Sequence, residues 1–397
     1  MNVVKHIAIG LVATALLLLA KIGFEHTALG RSWQVTAFEW LQGFLPDLSP
    51  DRLPVIVDDI NKIPGGKDQP TPRDQLQTLL GAIADKGPKA IAIDIDFSPD
   101  EAGWKTPQDP AFFDFCIKLT REQGIPVMLA VYRKREAIPA AWLGSSQYQE
   151  LAAAGVAKAD DTTRLFRWVP TNSAQARLPT IGEALARTYR GRPEPPIWIA
   201  WALEGVGKAA NDANEESQGS LRLVNYSKLE QLKRETLEFT RPETVKDGGN
   251  SFKGRMVILG DVAFATDTFN VPGQPRPVPG VYLMALAAYT LAVEPLYEFN
   301  YSVRLGIDFA ISLVIVFGAF RISRRKISLV KQRKQRGRFL LVAVAAAIVA
   351  GIVLVRIGHI MWFDFILAPF AMMLHPRVED WISARFSGKS KAAKKHA

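Results

Sequence analysis

Short apolar runs and helical patterns alternate along residues 51–130. The runs 53–59, 89–97 and 125–132 are continuous and rich in β-branched residues, which predicts buried strands. Between them, 72–87 and 109–124 carry apolar residues at helical spacing, with a proline near the start and a glycine at the end. This order predicts parallel strands with right-handed crossovers, and the absence of alternation within the strands predicts a sheet covered on both faces.

The pattern is weaker further along, and it leaves the fold of 133–250 open. Within that stretch, 179–189 is typical of a helix. A strand returns at 255–261, and 279–293 is predicted to be a helix. We therefore expect an α/β domain with a mainly parallel sheet.

Four longer apolar stretches flank this domain, at 7–24, 303–320, 339–355 and 360–375. At 1.5 Å per residue, each is near the lower limit for crossing about 30 Å of hydrocarbon. The first could instead be a cleaved signal peptide. No clean small-x-small cleavage site follows it, which favours an uncleaved anchor.

Charge is distributed unevenly along the chain, which carries a net charge of +10. Nine Lys/Arg and no acidic residue lie in 321–338, and six Lys/Arg against two acidic residues lie in 376–397. Residues 25–302 hold 30 Lys/Arg and 35 Asp/Glu. The positive-inside rule then puts 25–302 outside the cytoplasm. Because the basic residues lie beside apolar helices, they indicate anionic lipid rather than nucleic acid.

Four regions follow. Residues 1–24 form an N-terminal transmembrane anchor, and 25–302 form the extracytoplasmic α/β domain. Residues 303–375 form three transmembrane helices joined by a basic cytoplasmic loop, 321–338. Residues 376–397 form a basic cytoplasmic tail. The predicted fold is an extracytoplasmic α/β domain plus four transmembrane helices, one N-terminal and three C-terminal.

Few residues suited to catalysis are available. The chain has five histidines, of which His26 alone lies in 25–302, and one cysteine, Cys116. A Ser-His-Asp or Cys-His centre would lack its base, and a zinc site would lack its ligands. We therefore expect no catalytic residues, no metal site and no cofactor, with Cys116 as a small buried side chain.

Carboxylates at the ends of predicted strands are the remaining candidates for ligand binding. Because ligands of open α/β sheets bind beyond the carboxyl ends of the strands, these acids could meet in one crevice. One interpretation is a site for a cationic ligand or for Ca²⁺ or Mg²⁺. The other is helix capping and loop hydrogen bonds. The residues are Asp58, Asp59, Asp94, Asp96, Asp261 and Asp267.

Two further groups of charged residues belong to the predicted membrane part. The first would lie near its outer face, either reaching the interface or forming a polar cluster that couples the domain to the helices: Arg304, Asp308, Arg356, His359 and Asp364. The second would bind a cytoplasmic partner or lipid: Arg324, Arg325, Lys326, Lys331, Arg333 and Lys334.

The order of four motifs resembles the type-two CHASE domain, a sensory domain of bacterial signalling proteins. They are Val55-Ile56-Val57-Asp58-Asp59, Pro72-Arg73 with Leu79-Leu80, 87–94 (GPKAIAID) with Phe97-Ser98, and 252–260 (FKGRMVILG). Asp267 and 278–282 (VPGVY) follow, and the resemblance spans roughly 30–300. One span before the domain and three after it also fit. The segment 61–71 departs from the Gly/Trp/Pro-rich stretch usual in the family.

The resemblance implies signal reception and supplies no catalytic residues. Members of this layout usually continue into a cytoplasmic output domain, and we expect none fused to this chain. The expected protein is therefore a multi-pass sensor or adaptor of the bacterial inner membrane. It would signal to a cytoplasmic protein supplied in trans, respond to an unknown extracytoplasmic ligand, and could form a homo-oligomer. The alternatives are a scaffold subunit of an envelope complex and, less favoured by the histidine count, a carboxylate- or metal-dependent periplasmic enzyme.

Overall fold

A computed structural model shows a chain of short strands and of helices of different length. It describes residues 3–45, 50–58, 71–98, 104–131, 142, 145–155, 168–170, 172–173, 178–189, 202–203, 221–238, 251–262, 268–271, 273–323 and 329–362. The helices are α1 Val3–Glu25, α2 Ala28–Gln42, α3 Arg73–Ala84, α4 Asp109–Glu122, α5 Ile181–Arg187, α6 Leu229–Arg234, α7 Gly280–Ala292, α8 Tyr301–Ser323 and α9 Leu329–Gly358.

The strands are short, as expected for a sheet buried on both faces. In chain order they are β1 Val55–Asp58, β2 Ala90–Ile93, β3 Val127–Val131, β4 Ala152–Ala154, β5 Trp168–Pro170, β6 Asn172–Ser173, β7 Leu178–Pro179, β8 Leu221–Leu223, β9 Leu237–Glu238, β10 Met256–Leu259, β11 Thr268–Phe269, β12 Val278–Pro279, β13 Tyr297–Glu298 and β14 Ile360–Met361. The chain divides into two compact units, one at 46–201 and 205–297, the other comprising 1–45, 202–204 and 298–397.

A six-stranded parallel sheet forms the centre of the first unit, in the order β4-β3-β2-β10-β1-β9. This confirms the prediction of an α/β domain with a mainly parallel sheet. The late strand β10 lies between β1 and β2, with Val257 paired to both Val55 and Ile91. Neighbours in the predicted strand order are therefore not all neighbours in the sheet.

Strand β2 carries side chains of different size on the two faces of the sheet. Ile91 and Ile93 of β2 face a large apolar core to which α3 and α4 contribute. Ala90 and Ala92 alternate with them and face the opposite way, where α5 and α7 contact the sheet. The small side chains of β2 leave room on that face, and the domain has three layers with helices on both sides of the sheet.

Close packing of α5 against α7 fills the second face. A Cβ at Gly182 would lie 2.8 Å from Ala287 Cβ and 3.2 Å from the carbonyl oxygen of Met284. The backbones therefore meet where only glycine fits. Every residue of α7 is buried, which explains why its sequence is apolar all round.

A buried ion pair joins the first turns of α3 and α4. Arg73 Nε donates to Asp109 Oδ1 at 2.6 Å, and the two side chains are 2% and 3% exposed. The Asp109 carboxylate also accepts from Lys105 N, Thr106 N and Thr106 Oγ1. The Arg73 guanidinium lies over the ring of Phe97, 4.5 Å from its centroid. The pair is thus hydrogen-bonded and desolvated, as a buried ion pair requires.

In the second unit, α1 contacts α2 and α8, and α9 contacts α2 and α8. Within the described residues, one stretch, Gly337–Gly358 of α9, is long and apolar enough to cross a membrane. One such stretch does not by itself separate a membrane span from the core helix of a soluble protein. The prediction of four spans is therefore not confirmed, and most of the fourth segment lies outside the described residues.

Two predicted boundaries differ from the structure. Residues 321–338 were expected to form a loop, yet α8 continues to Ser323 and α9 begins at Leu329. The sequence 329–336 is built from Leu, Val, Lys, Gln and Arg, most of them strong helix formers, so the basic segment continues the apolar helix. The strand predicted at 89–97 ends at Ile93, because the chain then turns, with Asp96 Oδ1 accepting from Ser98 N at 2.8 Å.

Candidate functional site

Three of the predicted acids follow neighbouring strands at one edge of the sheet. Asp58 ends β1, Asp94 directly follows β2, and Asp261 comes two residues after β10, which lies between those strands. The register pairs Leu259 with both Val57 and Ile93, so Asp58 and Asp94 lie at the same level on either side of β10. At about 4.8 Å per strand, their backbones are about 10 Å apart.

Asp58 lies in the most enclosed part of this edge. It is buried, and its Oδ1 accepts from Val262 N at 3.3 Å. Burial, and then the charge of Asp58, raises the pKa of the Tyr282 phenol in the first turn of α7. The hydroxyls of Tyr282 and Thr236 are 3.2 Å apart. The Tyr282 hydroxyl thus lies within hydrogen-bond distance of Thr236 and within electrostatic range of the Asp58 carboxylate.

Asp94 lies beside a glycine that fixes how close α7 can come. A Cβ at Gly260 would lie 2.6 Å from Val281 Cγ2 and 3.3 Å from Asp94 Cβ. The start of α7 is thus packed directly over the end of β10. Pro279, which precedes the helix, makes no side-chain capping bond. Because the helix dipole is positive at its N-terminus, negative charge near the start of α7 is favourable.

Asp96 is engaged in its own loop. Its Oδ2 accepts from Lys105 Nζ at 2.7 Å, and its Oδ1 accepts from Ser98 N. Burial acts to raise its pKa, but the hydrogen bonds from Lys105 and Ser98 and the charge of Lys105 outweigh burial and hold the pKa below its ordinary value. This is the loop hydrogen bonding that the second interpretation of the strand-end acids predicts.

Asp59 and Asp267 lie outside the described residues. Among the residues that are described, no three His, Cys, Asp or Glu side chains form a group that could hold a metal ion. Binding of a ligand by the strand-end acids stays a prediction. Buried Cys116 has a raised thiol pKa, because burial disfavours the thiolate.

A second cluster of charges lies in the other unit, between α1 and α8. Lys21 Nζ donates to Asp308 Oδ2, and Glu25 Oε1 lies 3.5 Å from the same nitrogen. One helical turn from Asp308, Arg304 Nη1 donates to Glu298 Oε1 at 2.6 Å. The Lys21 and Asp308 side chains are each 12% exposed, so the pair is neither fully buried nor freely hydrated.

Two of the other predicted coupling residues, Arg356 and His359, lie at the end of α9. Arg356 is exposed in the last turn of α9. His359 follows the helix with φ of 52°, in the left-handed region, and its N donates to Val355 O at 3.0 Å. This conformation ends α9, as at many helix C-termini. Asp364 lies outside the described residues.

Of the predicted basic surface, Lys331 and Lys334 are exposed in the first two turns of α9, and Arg333 lies on the same helix. Arg324, Arg325 and Lys326 lie outside the described residues. The described basic residues are thus part of one continuous helix with the apolar stretch that follows.

Sequence reasoning missed Lys21 and Glu25. The signal was present, because a lysine in an apolar segment requires a partner and Glu25 follows it by one helical turn. Tyr282 was noted only as part of a motif. No local pattern indicates that the charge of Asp58 acts on it, since β1 and α7 are brought together only by tertiary packing.

Comparison with known proteins gives one match. The family model described as the CHASE2 domain matches residues 9–319. No curated protein and no solved structure matches the chain. The match covers most of the chain and includes the parallel sheet and both helices of the Lys21–Asp308 pair. This chain belongs to the CHASE2 family, whose domain is an extracytoplasmic sensory domain not known for enzymatic activity.

Proposed function

We propose that this protein is a membrane-anchored sensor or adaptor. Its extracytoplasmic domain would detect a ligand or a protein, and its helices would pass a shift to a separate cytoplasmic partner. The observation that carries this proposal is the Lys21–Asp308 ion pair. It joins the helix that precedes the domain in the chain to the helix that follows it. A movement of either helix along or around the other must strain or break this pair.

The surfaces of the helices support membrane anchoring. Large apolar side chains are exposed on α1, α8 and α9, where water would be an unfavourable surrounding: Leu16, Leu19, Phe309, Phe317, Val349 and Ile357. Exposed apolar surface of this extent marks contact with lipid or protein. We propose that α1 and α8 cross the bilayer together with α9, and that the segment after His359 returns across it. This gives a multi-pass protein of the bacterial inner membrane.

The start of α8 is held by hydrogen bonds within its own unit. Asn300 Oδ1 accepts from Val303 N at 2.9 Å and caps α8, while Asn300 N donates to Ala202 O at 2.8 Å. Leu203 forms an isolated antiparallel bridge with Phe299. Residues 202–204, which belong to the same unit as α8, therefore fix the residues that begin this helix. A shift of this segment would act on the helix that carries Asp308.

The cytoplasmic contact is proposed for the basic first turns of α9. Lys331 and Lys334 are exposed there, and no acidic residue lies in 321–338 to neutralise them. Such a surface attracts an acidic protein face or anionic lipid headgroups. Because α9 is continuous, these residues are rigidly connected to its apolar stretch.

The test is purification of the full-length tagged protein from crosslinked cells in mild detergent, followed by mass spectrometry. A cytoplasmic signalling protein should accompany the wild type and be lost from Lys331→Gln/Lys334→Gln. The matched control removes two exposed charges from the domain, Lys253→Gln/Arg276→Gln, and should retain the partner. Reporter fusions on both sides of α9 must show unchanged topology, because loss of basic residues can invert a membrane protein.

A different result would overturn the proposal. If envelope proteins alone accompany the chain, in constant ratio and equally for both double variants, the protein is a scaffold subunit. If the reporters place residues 25–302 in the cytoplasm, the sensory role outside the cell fails as well.

A further inference from the structure

Helix α2 exposes an apolar stripe that its own packing does not explain. Leu29, Trp33 and Trp40 are 68%, 41% and 43% exposed. Their spacing of four and seven residues puts them on one side of the helix. Phe44, just past the helix, packs edge-on against Trp40 with ring centroids 4.7 Å apart and extends the stripe. Two exposed tryptophans in one stripe are unusual for a surface facing water.

The remaining sides of α2 are accounted for. Ala37, Phe38 and Leu41 are buried and form its packed side. Ser32 and Glu39 are exposed and polar, on the side away from that packing. The helix therefore has a packed side, a polar side and, between them, the exposed stripe of Leu29, Trp33 and Trp40. The stripe leaves apolar surface exposed beside the packed side of the helix.

A compact turn fixes α2 directly after α1. Thr27 N donates to Phe24 O at 2.9 Å, and Thr27 Oγ1 accepts from Gly30 N at 3.0 Å, capping α2. A Cβ at Gly30 would overlap the carbonyl oxygen of Phe24, so glycine is required where the two helices meet. Only His26 and Thr27 separate the helices. If α1 crosses the membrane, α2 begins at the level where α1 leaves it.

We propose that the stripe of Leu29, Trp33 and Trp40 binds the headgroup zone of the outer leaflet, so that α2 lies along the membrane surface. This inference rests on the proposed role of α1 as a membrane anchor. Tryptophan is enriched at that depth because its ring is apolar while its N–H can be hydrated. Helices with separate apolar and polar sides bind in the plane of the interface. The stripe also continues the exposed apolar surface of α1, to which Leu16 and Leu19 belong.

The experiment measures the depth of spin labels on the full-length protein in phospholipid vesicles. Labels are attached at Leu29→Cys, Trp33→Cys and Trp40→Cys, and as matched controls at Ser32→Cys and Glu39→Cys on the polar side of the same helix. Cys116 is buried and so gives little background labelling. Accessibility to oxygen, which partitions into lipid, is compared with accessibility to a water-soluble nickel chelate. The stripe should report a depth of about 5–10 Å, and the controls should report water.

Separate outcomes distinguish the two levels of the proposal. A label at Leu16→Cys tests the anchor: if it reports water, the proposed membrane function fails together with this inference. If Leu16→Cys reports lipid while the stripe and the controls are equally accessible to the nickel chelate, the interfacial helix alone is refuted. Spin–spin broadening at Trp33→Cys that disappears on dilution with unlabelled protein would assign the stripe to a second copy of the chain instead. Leu29→Cys retains both tryptophans and guards against misfolding of the other variants.

Discussion

Two interhelical ion pairs among the described residues have different surroundings. In the sheet domain, Arg73–Asp109 is almost fully buried, and its carboxylate accepts four hydrogen bonds. Between α1 and α8, Lys21–Asp308 is partly exposed and shares its lysine with Glu25. The lysine of the second pair thus has an alternative partner close by. A rigid joint suits the domain, and an exchangeable one suits the helix movement that we propose.

The largest effect should come from breaking the rigid joint. Asp109→Ala leaves the buried guanidinium of Arg73 without its counter-charge and should cost about 3–5 kcal/mol in the free energy of unfolding. The control is Arg121→Ala, which breaks the exposed Arg121–Glu150 pair and should cost less than about 1 kcal/mol. Denaturant unfolding of the full chain in detergent measures both. Equal losses would contradict the distinction between a buried and an exposed pair.

A change in the packing of the domain should destabilise it somewhat less than loss of the buried charge. Gly260→Ala puts a methyl group against Val281 and should cost about 1–3 kcal/mol, because the start of α7 must move off the end of β10. Gly81→Ala in α3, where the nearest atom would be 3.9 Å away, should instead be neutral or stabilise by up to about 1 kcal/mol. Thermal unfolding of both variants checks the opposite signs. If Gly81→Ala is destabilised as well, the room available for a Cβ does not by itself explain the effect of Gly260→Ala.

The pair between the helices should be weaker than the pair in the domain. Asp308→Asn should lower the free energy of unfolding by about 1–2 kcal/mol, since the pair is partly hydrated and Lys21 keeps Glu25 as a partner. Arg321→Gln removes a charge from an exposed position of the same helix and should have little effect. Unfolding in detergent compares them. In Asp308→Asn/Glu25→Gln, Lys21 loses both carboxylates, so the loss should exceed that of Asp308→Asn.

The smallest effect is expected at Asp96. Its lowered pKa means that the folded state stabilises the carboxylate, so this contribution is present above the unfolded pKa and is lost as pH falls through the folded value. Asp96→Asn should therefore cost less than about 1 kcal/mol at neutral pH, because the Asp96–Lys105 pair is about one-third exposed. The difference from wild type should disappear as the pH falls through the pKa of folded Asp96, which lies below the ordinary value of 3.8. Unfolding curves across pH measure this. A difference that persists in acid would mean that Asp96 acts by packing.

Local patterns predicted four of the six strands of the central sheet and the helices that pack on it, but not their arrangement. Apolar runs located β1, β2, β3 and β10, and helical spacing located α3, α4, α5 and α7 to within a few residues. The place of β10 between β1 and β2 could not be predicted, because strand order depends on which faces pack together over long sequence separations. The basic segment 321–338 was predicted as a loop because its charges separate two apolar stretches. The residues of its second half nevertheless favour a helix.

The candidate site was predictable to a similar extent. Because the carboxyl ends of parallel strands lie at one edge of a sheet, the sequence predicted that Asp58, Asp94 and Asp261 would lie along that edge, as they do. The surrounding residues were not predictable, since Tyr282 comes within electrostatic range of Asp58 through tertiary packing, and Lys105 contacts Asp96 through a loop. Lys21 could have been found, because a buried or lipid-facing lysine needs a counter-charge.

The position of β10 also sets the order in which the domain can be made. Val55 pairs with Val257 and Ala90 with Met256, so β1 and β2 leave the ribosome long before the strand that fills the gap between them. Until Leu259 has emerged, both strands expose an unpaired apolar edge, which is the surface that leads to aggregation. Closing such distant contacts is also slow. We therefore expect the early strands to need protection at least until residue 259 of 397 has been made.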